Sequence, residues 1–546
     1  MADASSKNPV WDDNALSMRA LSMWMPRLAS AEVDYGRRRD IDTGRARDLA
    51  INSAYGANAL RIHRDNVIGP TFTLALRPIA DLLEITPIQA KKWSRQVERA
   101  WKAYADSPTY DCDAQRVLTF PWMLHQAYLS FMTSGDALGI MRWKDPGPSG
   151  FRTCLQLVEP DRLSTPPELE MLRTIHRGVE RDADGVPIAY HVRKVHASDV
   201  ATRPVDQQFK WERIPRAEKW GRPKVLHMID RSRPDMVRGI SSFVAALVQL
   251  KMVDEYDRAE LESAVLKASF AAVVKTELPT KQAMAALGAG DLADEGDLAN
   301  EDAQHALSYM AKIGGYHQAS ALTVNGARAV HLLPGESMEL LQAAEGGISY
   351  EAFTRAMVNK LAAGLGVGAE QLSRDFGEMS FASAKMALGD IWRHYRVRRE
   401  MLIRQFAMPW VLCWLEEAVD TGALPLPNGQ KGDADSLLPM WPAIFANSTF
   451  LSWGPPVVDP VKEAQAQETR LKIGISTLAQ EAQEQGDDWE DLLEQQALER
   501  AKKAELEIPQ IEELEAKEDP LMGGKDDDPD EDGKGGEKKG KEQRRA

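Results

Sequence analysis

Residues 240–274, ISSFVAALVQLKMVDEYDRAELESAVLKASFAAVV, constrain the fold of this chain more than any other stretch. After Gly239 they can propagate as one helix of about 30 residues. Phe243, Leu247, Leu250 and Val253 form an apolar stripe, while Glu255, Asp257 and Glu260 sit among Lys251, Arg258 and Lys267. Propensity alone cannot hold so long a helix in water, so it needs lateral partners. A second helix-forming run, YEAFTRAMVNKLAAGLG, begins at Tyr350. Between the two, residues 277–300 are small, acidic and poor in apolar side chains, which predicts an exposed loop. Asp291 could start a calcium loop, but Ala293 stands where the third position needs an oxygen ligand. Strand-like SALTVNGARAVHLLPGESMELL then leads into the second helix. Two helices flanking a protruding, strand-containing module is the organising pattern.

The preceding sequence reads as helix, then mixed sheet. ALSMRALSMWM, at 15–25, can form a short amphipathic helix. Residues 43–67 predict a helix interrupted near Gly56. Thr86 and Pro87 start a cleaner one, with Trp93, Val97, Ala100, Trp101 and Tyr104 on one face. A third follows from Thr119. After Gly139, short apolar segments punctuated by glycine, proline and aspartate predict strands, with a hairpin turn at Gly185. Histidines 176, 191, 196 and 227 match no metal spacing. Residues 380–419 return to helix, group Arg393, Arg396, Arg398 and Arg399, and are kinked or divided by Pro409. The last segment, GGKDDDPDEDGKGGEKKGKEQRRA, has no core-forming residues and reads as a disordered tail.

At 546 residues the chain suggests about three or four domains. A net charge of −15 argues against a protein that coats nucleic acid through a general basic surface. It is compatible with one that surrounds DNA, because an acidic wall repels phosphate. Cys112, Cys154 and Cys413, three in number and far apart, cannot form a pairwise disulfide framework, no close Cys/His spacing suggests zinc, and a reducing compartment fits. The acidic N-terminus is not a signal peptide, and no run approaches the roughly 18 apolar residues of a membrane span.

Sites of chemistry are scarce. GAGDLADEG and AAGLGVGAE lack the lysine of a phosphate loop, and neither H-E-x-x-H nor G-x-S-x-G occurs. Asp375 and Glu378, beside Arg374 and Lys385, read as a salt-bridged turn before an acidic metal site. Near the C-terminus, WGPPVVDPVKEAQ stiffens the chain and then starts a helix: Asp459 can cap it and Pro460 can fill its first turn. That deliberate entry has no nucleophile, base or metal cluster nearby to explain it.

Several segments, in order, resemble tailed-phage portal proteins of the lambda type. They are RARDLAINSAYGANALRIHRDNVIG at 45–69, IDRSRPDMVRGISSFVAAL at 229–247, LLPGE at 332–336, YEAFTRAMVNKLAAGLGVGAEQLSRDFGEMSFASAKMAL at 350–388, and the run from Trp453 to Glu499. Together they extend over residues 45–499. Where the family has a YSSAR-like element this chain has Phe381 and Lys385 in FASAK, which keeps an aromatic and a positive charge.

The resemblance implies an α+β portal fold with wing, helical stem, α/β clip and helical crown, assembled as a ring of usually twelve subunits at one capsid vertex. On that scheme residues 1–44 are an N-terminal arm, 45–239 the first part of the wing, 240–274 the first stem helix and 275–348 the clip. Residues 349–366 are then the second stem helix, 367–450 the wing return, 451–506 the crown region and 507–546 the tail. The implied role is a channel for DNA packaging, head–tail joining and ejection, without catalysis or cofactor. The implied partners are further copies of the chain, the terminase packaging motor, major capsid and scaffolding proteins, head-completion or tail adaptor proteins, and double-stranded DNA bound without sequence preference. No membrane is involved. Assembly in the bacterial host cytoplasm and residence in the virion follow. Lys360, Arg374 and Lys385, with Asp375 and Glu378, are the candidate channel or intersubunit residues, and Asp459 and Pro460 a structural helix entry repeated in every subunit. A non-channel scaffold or adaptor would form no closed ring. A nucleic-acid motor or nuclease would need the phosphate loop or carboxylate cluster that is missing.

Overall fold

The structure, a computed structural model, describes residues 28–172, 174–201, 209–269, 273–276, 322–324, 327–329, 336–339, 350–377, 380–427, 440–457 and 459–506. The expected helix at 15–25, the acidic loop at 277–300, the tail from 507 and Glu378 lie outside the described residues. The described residues mix helix and sheet. Met1–Val67 with Ala103–Pro442 form one compact unit, and Ile68–Lys102 with Ala443–Ala546 a second.

In chain order come helices α1 (Ala31–Asn52) and α2 (Ala54–Val67), strand β1 (Thr73–Ala75), and helices α3 (Pro87–Ala105) and α4 (Phe120–Ser134). Strands β2 (Asp136–Trp143), β3 (Thr153–Val158), β4 (Ile175–His176), β5 (Val179–Arg181), β6 (Pro187–Arg193), β7 (Trp211–Pro215) and β8 (Val225–Ile229) follow. Helix α5 (Leu247–Ser269) precedes strands β9 (Val273–Thr276), β10 (Leu322–Val324), β11 (Ala327–Ala329) and β12 (Glu336–Glu339). Next are helices α6 (Tyr350–Leu365), α7 (Ala369–Ser373), α8 (Phe381–Leu402) and α9 (Met408–Asp420). Strand β13 (Thr449–Leu451) and helices α10 (Pro460–Lys472), α11 (Leu478–Gln485) and α12 (Trp489–Glu505) complete the described chain.

In the first unit, α1 and α2 are separated at Ser53, three residues before the Gly56 near which the sequence suggests an interruption. Ser53 is extended at φ −93° and ψ 129°, and its hydroxyl donates to Asp254 Oδ1 at 3.1 Å. Gly56 lies inside α2, where a Cβ would overlap the carbonyl oxygen of Leu49. The glycine thus permits two successive helices to turn tightly. Two antiparallel sheets follow, ordered β3-β2-β8 and β4-β5-β6-β7. The first begins at Asp136, three residues before the change of pattern at Gly139. Leu138, Ile140, Val158, Val179, Tyr190 and Val192 join a single apolar cluster from strands of both sheets. Gly185, at φ 84°, supplies the left-handed turn between β5 and β6.

Helix α8 passes into α9 through one π-helical turn, Ile403–Ala407, just before Pro409. Proline cannot donate to the carbonyl one turn earlier, and the local widening absorbs that loss without ending the helix. Gln405 within the turn accepts from Ile229 N on β8 at 2.8 Å.

In the second unit β1 pairs antiparallel with β13, and Phe72 stacks on Phe450 at 4.8 Å. Trp93 of α3 stacks on Phe445 at 6.0 Å. Thr86 caps α3 as the sequence predicts, accepting from Gln89 N at 3.3 Å. Residues 68–102 therefore share their packing with the C-terminal segment. Asp459 caps α10, accepting from Lys462 N at 3.2 Å, with Pro460 in the first turn. The chain entering that helix runs against the end of α11: a Cβ on Gly454 would overlap Glu484 O, and one on Gly486 would overlap Ser452 O. Arg470 then ties α10 to α11 through both oxygens of Glu481, at 2.8 Å each.

Candidate functional site

The segment that leads into α5 is anchored by a buried charge cluster. Asp136, 1% exposed, sits at the first position of β2. Arg39 Nη2 of α1 donates to its Oδ1 at 2.7 Å, and Arg238 Nε donates to its Oδ2. His227 Nε2 lies 3.3 Å from the same Oδ2. Both guanidiniums are buried and also satisfy main-chain acceptors. Arg238 reaches Leu163 O at 2.8 Å and Pro160 O at 2.7 Å, and Arg39 reaches Gly239 O at 3.1 Å and Ser134 O at 2.9 Å. Burial opposes the Asp136 charge, but Arg238, Arg39 and His227 hold its carboxyl well below the usual carboxylate range. Burial lowers the His227 pKa against the pull of Asp136.

Two glycines make the cluster possible. Gly135, at φ 85°, ends α4, and a Cβ on Gly239 would overlap its carbonyl oxygen. The following residues lie over the end of α4: Ser242 N and Ser241 Oγ both donate to Met132 O at 3.0 Å, and Phe243 N donates to Ser241 Oγ at 3.1 Å. Those donors are spent outside a helical ladder, so α5 begins at Leu247 instead of directly after Gly239. The predicted stripe of Phe243, Leu247, Leu250 and Val253 is buried.

Helix α2 ties the second long element in place. Burial lowers the His63 pKa to about 4, so the ring is neutral at pH 7 and donates from Nε2 to Leu365 O at 2.8 Å, at the end of α6. Asn58 Nδ2 donates to Gln371 O and Leu372 O at 3.0 and 2.9 Å. Arg399 of α8 caps the C-terminus of α2 through Val67 O and Asn66 O, both at 2.8 Å. Helices α5 and α6 meet through Tyr256, whose ring stacks on Tyr350 at 5.8 Å and packs against Phe353 at 4.5 Å. Tyr350 OH donates to Asp257 at 2.8 Å.

The sequence-selected cations fall around this frame in different ways. Lys360 is exposed on α6, and Lys385 is exposed on α8. Arg374 ends α7 in the left-handed region at φ 62° and donates to Asn58 Oδ1 at 3.1 Å. Asp375 Oδ1 accepts from Gly377 N at 3.1 Å, which closes the turn through the main chain. Arg374 and Asp375 are thus neighbours in one turn with separate partners, and Glu378 lies outside the described residues. Of the arginine group in α8, Arg398 pairs with Asp230 at 2.9 Å and Arg399 caps α2, while Arg393 and Arg396 are exposed.

Sequence reasoning missed Arg39, Asp136, Arg238, Asn58 and His63. A usable signal was present for the first cluster, because Gly135–Asp136 and Arg238–Gly239 each join a glycine to a charge. For Asn58 and His63 no local signal exists, since their partners lie about 300 positions away. Burial pushes the Cys112 and Cys413 thiols up to about 12, as inert core side chains. Among the described residues no cluster of His, Cys, Asp and Glu is arranged to hold a metal, and no helix is long and apolar enough to cross a membrane.

The profile of a family described as phage portal protein, lambda family, matches residues 17–399. The chain is 30% identical over 477 residues to the portal protein of Escherichia phage N15, covering 87% of each. It is likewise 30% identical over 482 residues to portal protein B of Escherichia phage lambda, covering 88% of this chain and 87% of that one. Among solved structures it is partially similar to a chain from the neck of an empty gene transfer agent particle, at 14% identity and a TM-score of 0.44, covering 84% and 93% of the two chains.

Proposed function

The chain belongs to the lambda family of phage portal proteins, and from that premise we propose that copies of it close into a ring of about twelve around a channel for double-stranded DNA. The observation supporting a ring of copies is the free side of α5. One stripe of that helix is buried, yet Val248 and Met252, on another face, are each more than half exposed. On α8, Met386 and Val397 are exposed by 79% and 69%. Exposed apolar side chains on long helices are what a repeated head-to-tail contact covers.

In this reading α5 and α6 are stem helices, residues 275–348 the clip, and residues 45–239 with 367–450 the wing. Residues 451–506 contribute the crown, where the rigid entry at Asp459 and Pro460 gives every copy the same helix direction. The ring sits at one capsid vertex and in the virion. It meets the packaging motor, capsid and scaffolding proteins, and later adaptor proteins, without chemistry of its own. Lys360, Arg374 and Lys385 provide weak, salt-sensitive contact to DNA in an acidic channel, since tight backbone binding would add drag at every step.

Particle images and the mass of the purified protein test the ring. Closed rings of about twelve copies are expected; monomers or open chains of subunits refute the reading and favour a non-channel adaptor. Replacing Lys360, Arg374 and Lys385 together with glutamine should then slow packaging while rings persist. Rings that fall apart while packaging per surviving ring is unchanged would assign these cations to the subunit interface.

A further inference from the structure

Helix α3 carries Lys91, Arg95, Arg99 and Lys102, spaced so that all four fall on one stripe of about 80°. The start of α12 covers three of them. Lys91 Nζ lies 2.5 Å from Glu490 Oε1 and 4.4 Å above the Trp489 ring. Arg95 spreads its guanidinium over Asp488 at 3.1 Å, Glu490 at 2.7 Å and Asp491. Arg99 pairs with Glu494 at 3.5 Å. Helix α12 itself buries no residue, and its Leu492, Leu493 and Leu498 are exposed. Charge, with little apolar burial behind it, therefore holds α12 on α3. Such contacts are screened by salt and individually weak when exposed.

We propose that α12 is a removable acidic mask over a basic ridge, and that the ridge, once uncovered, binds the phosphate backbone of double-stranded DNA. The choice of DNA as the competing polyanion rests on the portal reading. The four carboxylates Asp488, Glu490, Asp491 and Glu494 occupy the positions that phosphates would take along Lys91, Arg95 and Arg99. Duplex DNA carries one charge per roughly 1.7 Å along its whole axis, whereas the mask offers its four carboxylates over only about 9 Å of helix. DNA and α12 then compete for one surface, so each weakens the other by the same factor. While α12 is docked three of the four ridge cations are paired, so the ridge pulls only weakly on DNA, which suits a protein that must let DNA pass. Where DNA crowds against this unit, the mask yields.

The test uses the full chain and a fluorescein-labelled 30-base-pair duplex, read by anisotropy at two salt concentrations. The variant D488N/E490Q/D491N/E494Q removes the charge of the mask and keeps a capping side chain at Asp488. If the open state is populated at about 1–10%, unmasking raises apparent affinity by about 10- to 100-fold. Three freed cations steepen the slope of log affinity against log salt by about 3. Adding K91Q/R95Q/R99Q should abolish the gain. An unchanged affinity in the unmasked form, or a gain that survives loss of the three cations, overturns the proposal. Particle mass is measured on the same samples. Loss of rings in the unaltered protein would count against the portal reading, whereas intact rings without the cation-dependent gain would count against the mask alone.

Discussion

Replacing Asp136 with asparagine should detach the start of the first long helix. The wild-type cluster holds one carboxylate and two guanidiniums, with His227 available as a neutral donor. Without the carboxylate, Arg39 and Arg238 remain as two buried cations with no buried counter-charge, since the Asp40 that Arg39 also meets at 3.4 Å is solvent-exposed. Their bonds to Gly239 O, Ser134 O, Leu163 O and Pro160 O survive only if both stay buried together. Removing one partner of a buried ion pair costs about 3–5 kcal/mol. Arg39→Met instead leaves one cation on one anion, so it should cost less despite losing two main-chain bonds. Hydrogen exchange at the amides of Phe243 and Leu250 reads the effect locally. Both amides donate in the wild type, to Ser241 Oγ and to Ala246 O. Their protection should fall by about two to three and a half decades in the asparagine variant. The sign with pH follows from the depressed Asp136 pKa. Its stabilisation is complete above the unfolded value of about 4 and is lost only as pH falls through the folded value. The Asp136 carboxylate's own contribution to that difference should therefore be flat from about pH 8 to pH 5. A fall in protection below tenfold, or an Arg39→Met variant that is as damaged as the aspartate variant, would refute the charge-balance argument.

Gly239→Ala should prevent the crossing with Gly135 outright, because the colliding atom is backbone oxygen; soluble expression and a lowered melting temperature would show it. Glu98 in the second unit is pushed up to about 7, chiefly by burial, with Asp488 and Asp491 adding to the effect against the bond from Leu76 N and the charge of Arg95. A raised carboxyl stabilises below its unfolded value and loses that contribution as pH rises through about 7, so Glu98→Gln should raise the melting temperature at pH 8 and change it little at pH 5. A melting temperature equally raised at both values would contradict this sign. Asp459→Ala should increase amide exchange over the first turn of α10, at Lys462 above all, while Asp459→Asn should preserve protection. Equal exchange in both variants would show that Pro460 alone fixes the helix entry.

Sequence by itself determined the features whose causes are local. Thr86–Pro87 and Asp459–Pro460 start helices because a side-chain acceptor and a preset φ act within one turn. Gly185 turns a hairpin, and the stripe from Phe243 to Val253 finds the core, because spacing decides which side chains share a face. The ordered motifs from residue 45 to 499 identify the portal family in the same way. Tertiary structure decided everything that depends on a distant partner. The first helices break at Ser53, whose hydroxyl Asp254 accepts, while Gly56 allows the close turn. Helix α5 starts late because Ser241 and Ser242 are held by Met132. The arginines of α8 look alike in sequence, yet Arg399 caps α2 while Arg393 and Arg396 face outward. Asp136 meets Arg39 and Arg238 across gaps of 97 and 102 positions, and Arg95 meets Glu490 across 395. A charge in a sequence carries no record of which opposite charge will stand beside it. Only packing brings the two within 3 Å and removes the water that would otherwise have solvated both.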